Sequence, residues 1–311
     1  MTIINRVTLC IVFLSLATPI FGEEEITPGN VLAKAKELET IVESIRFHMG
    51  TPLAESLGLG IKNAQPHDVY FQAQTLFKKT NRLLFQISRT KLPPPEIEQN
   101  IYRPQDVLKL VTGAEKNLKL ILKELKLSPD INPVVVNSAE ISPSDVFLTI
   151  QELNRQVNLL LSTPFSSSDV YMQVTLAIGY GAKQLARFPK LQRIPDPSIV
   201  APGRIPRDVY LLLLDGLEQL QSIYEQQGLS SLEVNTKSLM EQNITPSDVF
   251  DIASLLVARL DFLHKHSKIE HLPRRPFYPG KVYPTDVYRQ TSILLSQLET
   301  LSKQFSKNHN R

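Results

Sequence analysis

The residues with the clearest capacity for chemistry are eight polar side chains at one position of a repeated motif. The motif reads Ile-Ser-Pro-Ser-Asp-Val-Phe at 141–147 and returns as Ile-Thr-Pro-Ser-Asp-Val-Phe at 244–250 and Val-Tyr-Pro-Thr-Asp-Val-Tyr at 282–288. Seven aspartates and one asparagine at equivalent positions form a row of oxygen ligands with the chemistry of a metal or cation site. Its members are Asn30, Asp68, Asp106, Asp145, Asp169, Asp208, Asp248 and Asp286.

The setting of these residues favours a structural role. If Ser142 is the N-cap of a helix, Pro143 takes the first helical position, where its missing N–H is no loss. Asp145 then takes the third position, where its carboxylate reaches back to the N-cap amide and faces the positive end of the helix dipole. Ile141 and Val146 have the spacing of a hydrophobic staple. We therefore predict that the eight residues cap eight helices.

Three histidines, His264, His266 and His271, fall within a short stretch and have the chemistry to bind zinc or copper. Two imidazoles two residues apart diverge on a helix, and no cysteine accompanies them. The default interpretation is a solvated helix end, and the sequence leaves metal binding open. We predict no cofactor.

Arginines in two connections form a candidate patch for an anionic partner, such as a cell-envelope polymer or an acidic protein. Scattered surface arginines are equally ordinary. The candidates are Arg193, Arg204, Arg207, Arg274 and Arg275. The residue after the motif valine is aromatic in six copies and leucine in the other two. This replacement by leucine favours hydrophobic filling over a stacking ladder for sugars or bases. The six are Tyr70, Phe147, Tyr171, Tyr210, Phe250 and Tyr288.

Nothing in the sequence nominates a catalytic centre. It contains no G-x-S-x-G, no phosphate loop, no H-E-x-x-H and no dinucleotide fingerprint. We therefore predict that the protein is not an enzyme. With 34 basic and 31 acidic residues, its charge balance does not indicate nucleic-acid binding.

The first 22 residues have the character of a secretory signal peptide. A single positive charge, Arg6, precedes the apolar run 7–20, and Gly22 precedes three glutamates. The only cysteine, Cys10, lies inside this run, so the mature chain would have no thiol. We expect an exported protein, periplasmic or secreted and most consistent with a bacterial source. No later stretch reaches the roughly 18 to 20 apolar residues of a membrane helix, so we expect the mature protein not to span a membrane.

The spacing of the motif predicts the architecture. The eight motif residues are separated by 38, 38, 39, 24, 39, 40 and 38 residues, which is a regular array with one irregular joint. Apolar residues follow each motif at heptad-like spacing, as in Val287, Leu294, Leu298, Leu301 and Phe305. We predict an all-α, eight-helix array or bundle with two similar four-helix halves, 23–163 and 164–311, which are two domains or one continuous domain.

Proline placement predicts how the helices are connected. Seven of the 22 prolines lie at the first helical position and none lies in a helix body. Long extended connections would let successive helices within a half start at the same end, whereas 162–165 is too short for a return. We therefore predict four helices in one direction, a tight turn, and four in the other. The alternative places short helices in connections 50–64 and 228–243.

The fifth helix departs from the pattern. Ser167 replaces its proline, and Gly179 and Gly181 lie in its middle, each costing about 1 kcal/mol relative to alanine. Close packing at a central seam and the approach of a ligand are the two interpretations.

Two functions remain as hypotheses. The first is a non-enzymatic structural or protein-interaction module of the cell envelope, because variation is concentrated in the long connections. The second is a small-molecule or lipid-binding bundle with a cavity around 179–181.

Overall fold

The computed structural model describes residues 26–53, 56, 60–97, 102–137, 140–199, 202–235 and 243–309. The predicted signal peptide, 1–22, lies outside them. The described residues form eight helices and two short strands. The helices are α1 (Pro28–His48), α2 (Pro66–Ser88), α3 (Pro104–Glu124), α4 (Pro143–Leu160), α5 (Ser167–Leu185), α6 (Pro206–Gln226), α7 (Pro246–His266) and α8 (Pro284–His309). The strands are β1 (Gly60–Lys62) and β2 (Glu233–Asn235).

Each half of the chain forms a four-helix bundle, which confirms the predicted fold class. In the first bundle, α1 and α2 each pack against both α3 and α4; in the second, α5 and α6 each pack against both α7 and α8. The helices of one bundle are parallel, because their first turns meet at one end. The residues that meet there are Pro28, Val31, Pro66, Val69, Pro104, Val107, Pro143 and Val146, and in the second bundle Ser167, Val170, Pro206, Val209, Pro246, Val249, Pro284 and Val287.

Extended connections return the chain to the starting end. Between α5 and α6, the carbonyl of Arg193 accepts a hydrogen bond from Gln297 of α8, and the backbone N–H of Ser198 donates to Ser292. The backbone N–H of Arg204 then donates to Thr285, in the first turn of α8. The connection therefore runs antiparallel to α8, which is what parallel neighbouring helices require.

The two bundles run in opposite directions. Only 161–166 separates α4 from α5, and Asp68, near the start of α2, contacts Arg259, in the second half of α7. Strands β1 and β2 join the bundles as an antiparallel pair with Ile61 opposite Val234. These strands lie in connections 50–64 and 228–243, and the described residues of both connections contain no helix; the rest of the alternative with short helices falls on residues outside the described ones.

The predicted apolar stripes form the bundle interiors. Leu118, Leu256, Leu298 and Leu301 are fully buried, whereas Leu125 follows the end of α3 and is only partly buried. Of the motif aromatics, Phe147 and Tyr210 are buried; Tyr70, Tyr171, Phe250 and Tyr288 are partly buried against the core. None of the described helices is long and apolar enough to cross a membrane.

Candidate binding cleft between the two bundles

Charged side chains join α2 and α4 of the first bundle to α7 of the second. A guanidinium nitrogen of Arg259 lies 3.2 Å from Asp68 Oδ1, and both side chains are almost completely buried. Lys79 Nζ lies 2.5 Å from Asp251 Oδ1, and Arg155 Nε lies 3.2 Å from Asp248 Oδ1. We call this contact region the seam. Its ion pairs fix the bundles in one antiparallel register.

The ion pairs of the seam are arranged reciprocally between α2 and α7. Lys79 is the fourteenth residue of α2 and Arg259 the fourteenth of α7, and each pairs with an acid near the start of the opposite helix. Each cation also faces an aromatic ring: the Arg259 guanidinium carbon is 4.4 Å from the ring centre of Tyr224, and Lys79 Nζ is 5.9 Å from that of Phe165. Cation–π contacts of this kind strengthen as water is excluded.

Burial opposes ionisation of the pair between Lys79 and Asp251. It lowers the pKa of Lys79 and raises the pKa of Asp251, in each case against the effect of the partner charge. The amide of Asn158 supports the ionised carboxylate by donating to Asp251 at 3.0 Å. The Lys79 ammonium also donates to the carbonyl of Asn154. These neutral donors and acceptors complete the coordination of a pair in which the Lys79 side chain is buried and the Asp251 side chain is partly exposed.

Aromatic rings close the end of the seam where α2 begins. The His67 imidazole stacks on Phe262 at 3.9 Å, with only 5° between the ring planes. Tyr102 and Tyr224 flank the pair at centroid distances of 6.1 and 6.4 Å from His67. Burial lowers the pKa of His67, and the neighbouring Arg259 charge acts in the same direction.

Beside the seam, α2, α5, α7 and the chain after α7 enclose an open cleft of about 710 Å³, which we call the seam cleft. This volume lies within the range of about 300 to 1,000 Å³ typical of small-molecule sites. Its apolar and aromatic lining comes from Phe71, Phe165, Met172, Leu176, Phe250 and Val257.

The charged groups of the seam cleft are mostly basic. Lys78, Arg82 and Arg275 line it, together with Lys79, which is paired with Asp251. The one lining acid, Asp261, accepts a hydrogen bond from the Tyr180 hydroxyl at 2.8 Å and pairs with Lys265 at 2.8 Å. This hydrogen bond and burial raise the pKa of Tyr180 far above its usual value. Tyr180 and Asp261 are therefore engaged with each other and with Lys265.

The chain between α7 and α8 borders the seam cleft and is fixed to α5 at two points. Pro273 packs so close to Gly179 that a Cβ added to Gly179 would lie 2.8 Å from the Cβ of Pro273. The Ser168 hydroxyl donates to the carbonyl of Gly280 at 2.6 Å. We call 272–283 the clamped segment. Between its fixed points, the side chains of Phe277 and Tyr278 are 94% and 66% exposed.

The structure places all eight motif residues at the third position of a helix. In each case the side-chain oxygen accepts a hydrogen bond from the N-cap backbone N–H, at 2.8 to 3.2 Å. The reciprocal bond, from the N3 backbone N–H to a cap hydroxyl, is formed at Ser142, Ser166 and Thr245. The side chain of Ile205 cannot accept a hydrogen bond. The cap of α6 is therefore the bond that the Ile205 backbone N–H donates to the Asp208 carboxylate. Two of the eight, Asp68 and Asp248, use their second oxygen to bind the seam arginines.

The five candidate arginines do not form one patch. Arg204 and Arg207 lie at the start of α6, where the Arg204 guanidinium covers the Tyr288 ring at 4.5 Å. Arg193 lies beside the middle of α8. Arg274 and Arg275 lie in the clamped segment and are exposed, and Arg275 lines the seam cleft.

The histidines also separate. His264 is buried with its ring 5.4 Å from that of Tyr180, whereas His266 and His271 are exposed. Within the described ranges, no three His, Cys, Asp or Glu side chains gather as a metal site.

The close approach expected at 179–181 occurs within the second bundle. Gly179 meets Pro273, and a Cβ on Gly181 would lie 2.6 Å from Oε1 of Gln297 in α8. The interpretation that placed this packing at the central seam was therefore wrong in location. Tyr180, between the two glycines, is the residue that reaches the seam cleft.

Sequence reasoning missed Lys78, Lys79, Arg82 and Arg259. Arg259 lies next to Leu260 among the buried residues of α7, and Lys79 occupies the same helical position of α2. A comparison of equivalent positions among the eight repeats would have exposed this pair.

Comparison with known proteins yields no relative. No family model matches the chain, and no significant match is found among curated proteins or among solved structures.

Proposed function

We propose that the protein is an exported, non-enzymatic interaction module of the cell envelope, which binds an acidic partner through the clamped segment. The supporting observation is that Phe277 and Tyr278 are held exposed beside Arg274 and Arg275 on a segment fixed to α5 at both ends. Aromatic residues and arginine are the types most enriched at binding hot spots. A segment that is already fixed loses little conformational entropy on binding.

A non-enzymatic role agrees with how the polar groups beside the segment are used. Asp261 is engaged by Tyr180 and Lys265, and Asp251 by Lys79. Each of these groups stabilises the folded chain and has a partner within it. A binding role needs only the exposed groups.

The test is photo-crosslinking in the cells that produce the protein. A benzophenone amino acid replaces Phe277 in one strain and Val135 in another; these side chains are 94% and 96% exposed, but Val135 has no arginine beside it in sequence. We expect a discrete adduct with an acidic exported component from position 277 only, and its loss when Arg274→Glu is added. Equal adducts at both positions, or none at 277, would contradict the proposal.

A second function is favoured by a separate observation. The size and apolar lining of the seam cleft suit a small-molecule or lipid-binding bundle. The cavity lies between the bundles, on the side of α5 that carries Tyr180.

A further inference from the structure

Three of the four cations that line the seam cleft have no acidic partner in the described part of the chain; the fourth, Lys79, is paired with Asp251. Lys78 donates to the Gln74 amide oxygen at 3.0 Å, and Arg82 donates to the carbonyl of Thr163 at 2.8 Å. Among the ion pairs of the described residues, none contains Lys78, Arg82 or Arg275. The cleft therefore presents an excess of positive charge beside an aromatic floor.

Two of these cations, Lys78 and Arg82, also face a second hollow. A depression of about 540 Å³ lies between α2 and the connection that follows it, and it shares Gln74, Lys78 and Arg82 with the seam cleft. Phe85 and Ile97 contribute apolar surface to it. Lys78 and Arg82, one helical turn apart on α2, thus form a basic ridge with apolar surface on both sides.

We propose that the seam cleft binds an anionic amphiphile, with a carboxylate or phosphate group at Lys78, Arg82 and Arg275 and an apolar chain along the aromatic floor. This inference rests on the second proposed function and names its ligand class. A cationic or neutral polar ligand would leave the three positive charges without a counter-ion. A fully polar anion would leave Leu176 and Val257 in contact with water.

The electrostatics of Lys78 agree with this ligand class. Crowding by surrounding protein atoms and the nearby charge of Arg275 both lower the pKa of Lys78. An anion bound at both side chains would offset the repulsion between them and stabilise the ammonium form.

The first experiment locates the ligand. Because the chain contains no tryptophan, Phe71→Trp places a single indole in the lining of the seam cleft, and Phe47→Trp places one on a side chain that is 82% exposed in the first bundle. Brominated stearate is titrated into each full-length variant below its critical micelle concentration. We expect saturable quenching of the Phe71→Trp fluorescence and much weaker quenching of the Phe47→Trp fluorescence.

The second experiment tests the charge. Lys78→Gln with Arg275→Gln is compared, in the Phe71→Trp background, with Lys36→Gln and Lys116→Gln. The two pairs remove the same net charge from exposed side chains, but Lys36 and Lys116 are not among the residues that line the seam cleft. Since hydrogen bonds to charged groups are stronger than those between neutral groups, we expect the first pair to weaken binding about tenfold or more and the second to leave it nearly unchanged.

The ligand itself is varied last. Brominated methyl stearate and a brominated phosphatidylglycerol are compared with brominated stearate; tight binding of the phospholipid or of the free acid supports the inference and assigns phosphate or carboxylate as the preferred head group. If the uncharged ester quenches as strongly as the acid, the cleft binds apolar ligands and the anionic inference is wrong, while the second function stands. If no amphiphile quenches Phe71→Trp selectively, both are wrong.

Discussion

Along the axis of each bundle, the side chains that meet are mainly aliphatic, whereas those that meet between the bundles are charged, amide-bearing or aromatic. Leu38, Leu118 and Leu298 are fully buried among other apolar residues. Arg259 and Lys79 are buried to the same degree, but each depends on a particular acid across the seam. Apolar packing tolerates many sequences, while a buried ion pair is stable only with its partner in place. The seam therefore determines how the two bundles are placed.

The two regions also differ in what they leave free for function. Within a bundle, the acid at the start of each helix is used for capping. At the seam, more aromatic and basic side chains are present than take part in the ion pairs, and the remaining ones line the seam cleft. The binding proposals above depend on these remaining side chains.

The largest expected effect comes from removing one seam charge while keeping the cap. Asn30 already caps α1 by accepting from the Thr27 backbone N–H at 2.8 Å, so Asp68→Asn should preserve the cap of α2. It leaves Arg259 buried without a counter-ion, which typically costs about 3 to 5 kcal/mol. We expect a loss of that size in the free energy of unfolding, measured by urea denaturation of the whole chain.

Asp169→Asn is the matched control. Asp169 caps α5 by accepting from the Ser166 backbone N–H and has no arginine across the seam. Only its interaction with the helix dipole is lost, a cost of about 0.3 to 1 kcal/mol. Equal losses for the two variants would show that the seam charges contribute nothing beyond capping.

A smaller effect separates two glycines of the second bundle. A Cβ on Gly181 would lie 2.6 Å from Gln297 Oε1, whose side chain is held by hydrogen bonds to the carbonyls of Ile178 and Arg193. Gly181→Ala should therefore reduce the unfolding free energy by about 1 to 3 kcal/mol, as overpacking does. At Gly216 the nearest atom would be 3.6 Å away, so Gly216→Ala should stabilise α6 by up to about 1 kcal/mol through helix propensity. Thermal denaturation of both variants gives the comparison, and stabilisation by both would contradict the close approach at Gly181.

The bundles were predictable from sequence because their signals are local. A proline, an acid and a valine at fixed spacing define where each helix begins, and the apolar stripe defines which face is buried. The 24-residue step at the joint gave the reversal of direction. All of this depends on residues close together in the chain.

The seam was not predictable in the same way. Asp68 and Asp169 hold the same position of the motif, yet of the two only Asp68 meets a buried arginine, 191 residues away. The positions of the candidate arginines were not predictable either, because Arg275 lines the seam cleft whereas Arg204 covers a tyrosine ring. Which surface cation meets which cleft depends on the placement of one bundle against the other, and no local pattern carries that information.

The smallest predicted effect uses pH to probe the aromatic end of the seam. The folded pKa of His67 lies below its ordinary value of 6.5, because burial and the Arg259 charge outweigh the attraction of Asp68. The folded state then binds fewer protons than the unfolded state, so this residue lowers the unfolding free energy as pH falls below 6.5 and has no such effect above it. His67→Phe keeps a ring stacked on Phe262 but does not titrate. Between about pH 8 and pH 5.5, where histidine is the main titrating side chain, urea denaturation should show a smaller loss of stability for His67→Phe than for the wild type. The exposed His271→Gln should behave like the wild type, and a pH dependence unchanged by His67→Phe would mean that His67 is as easily protonated in the folded chain as in the unfolded one.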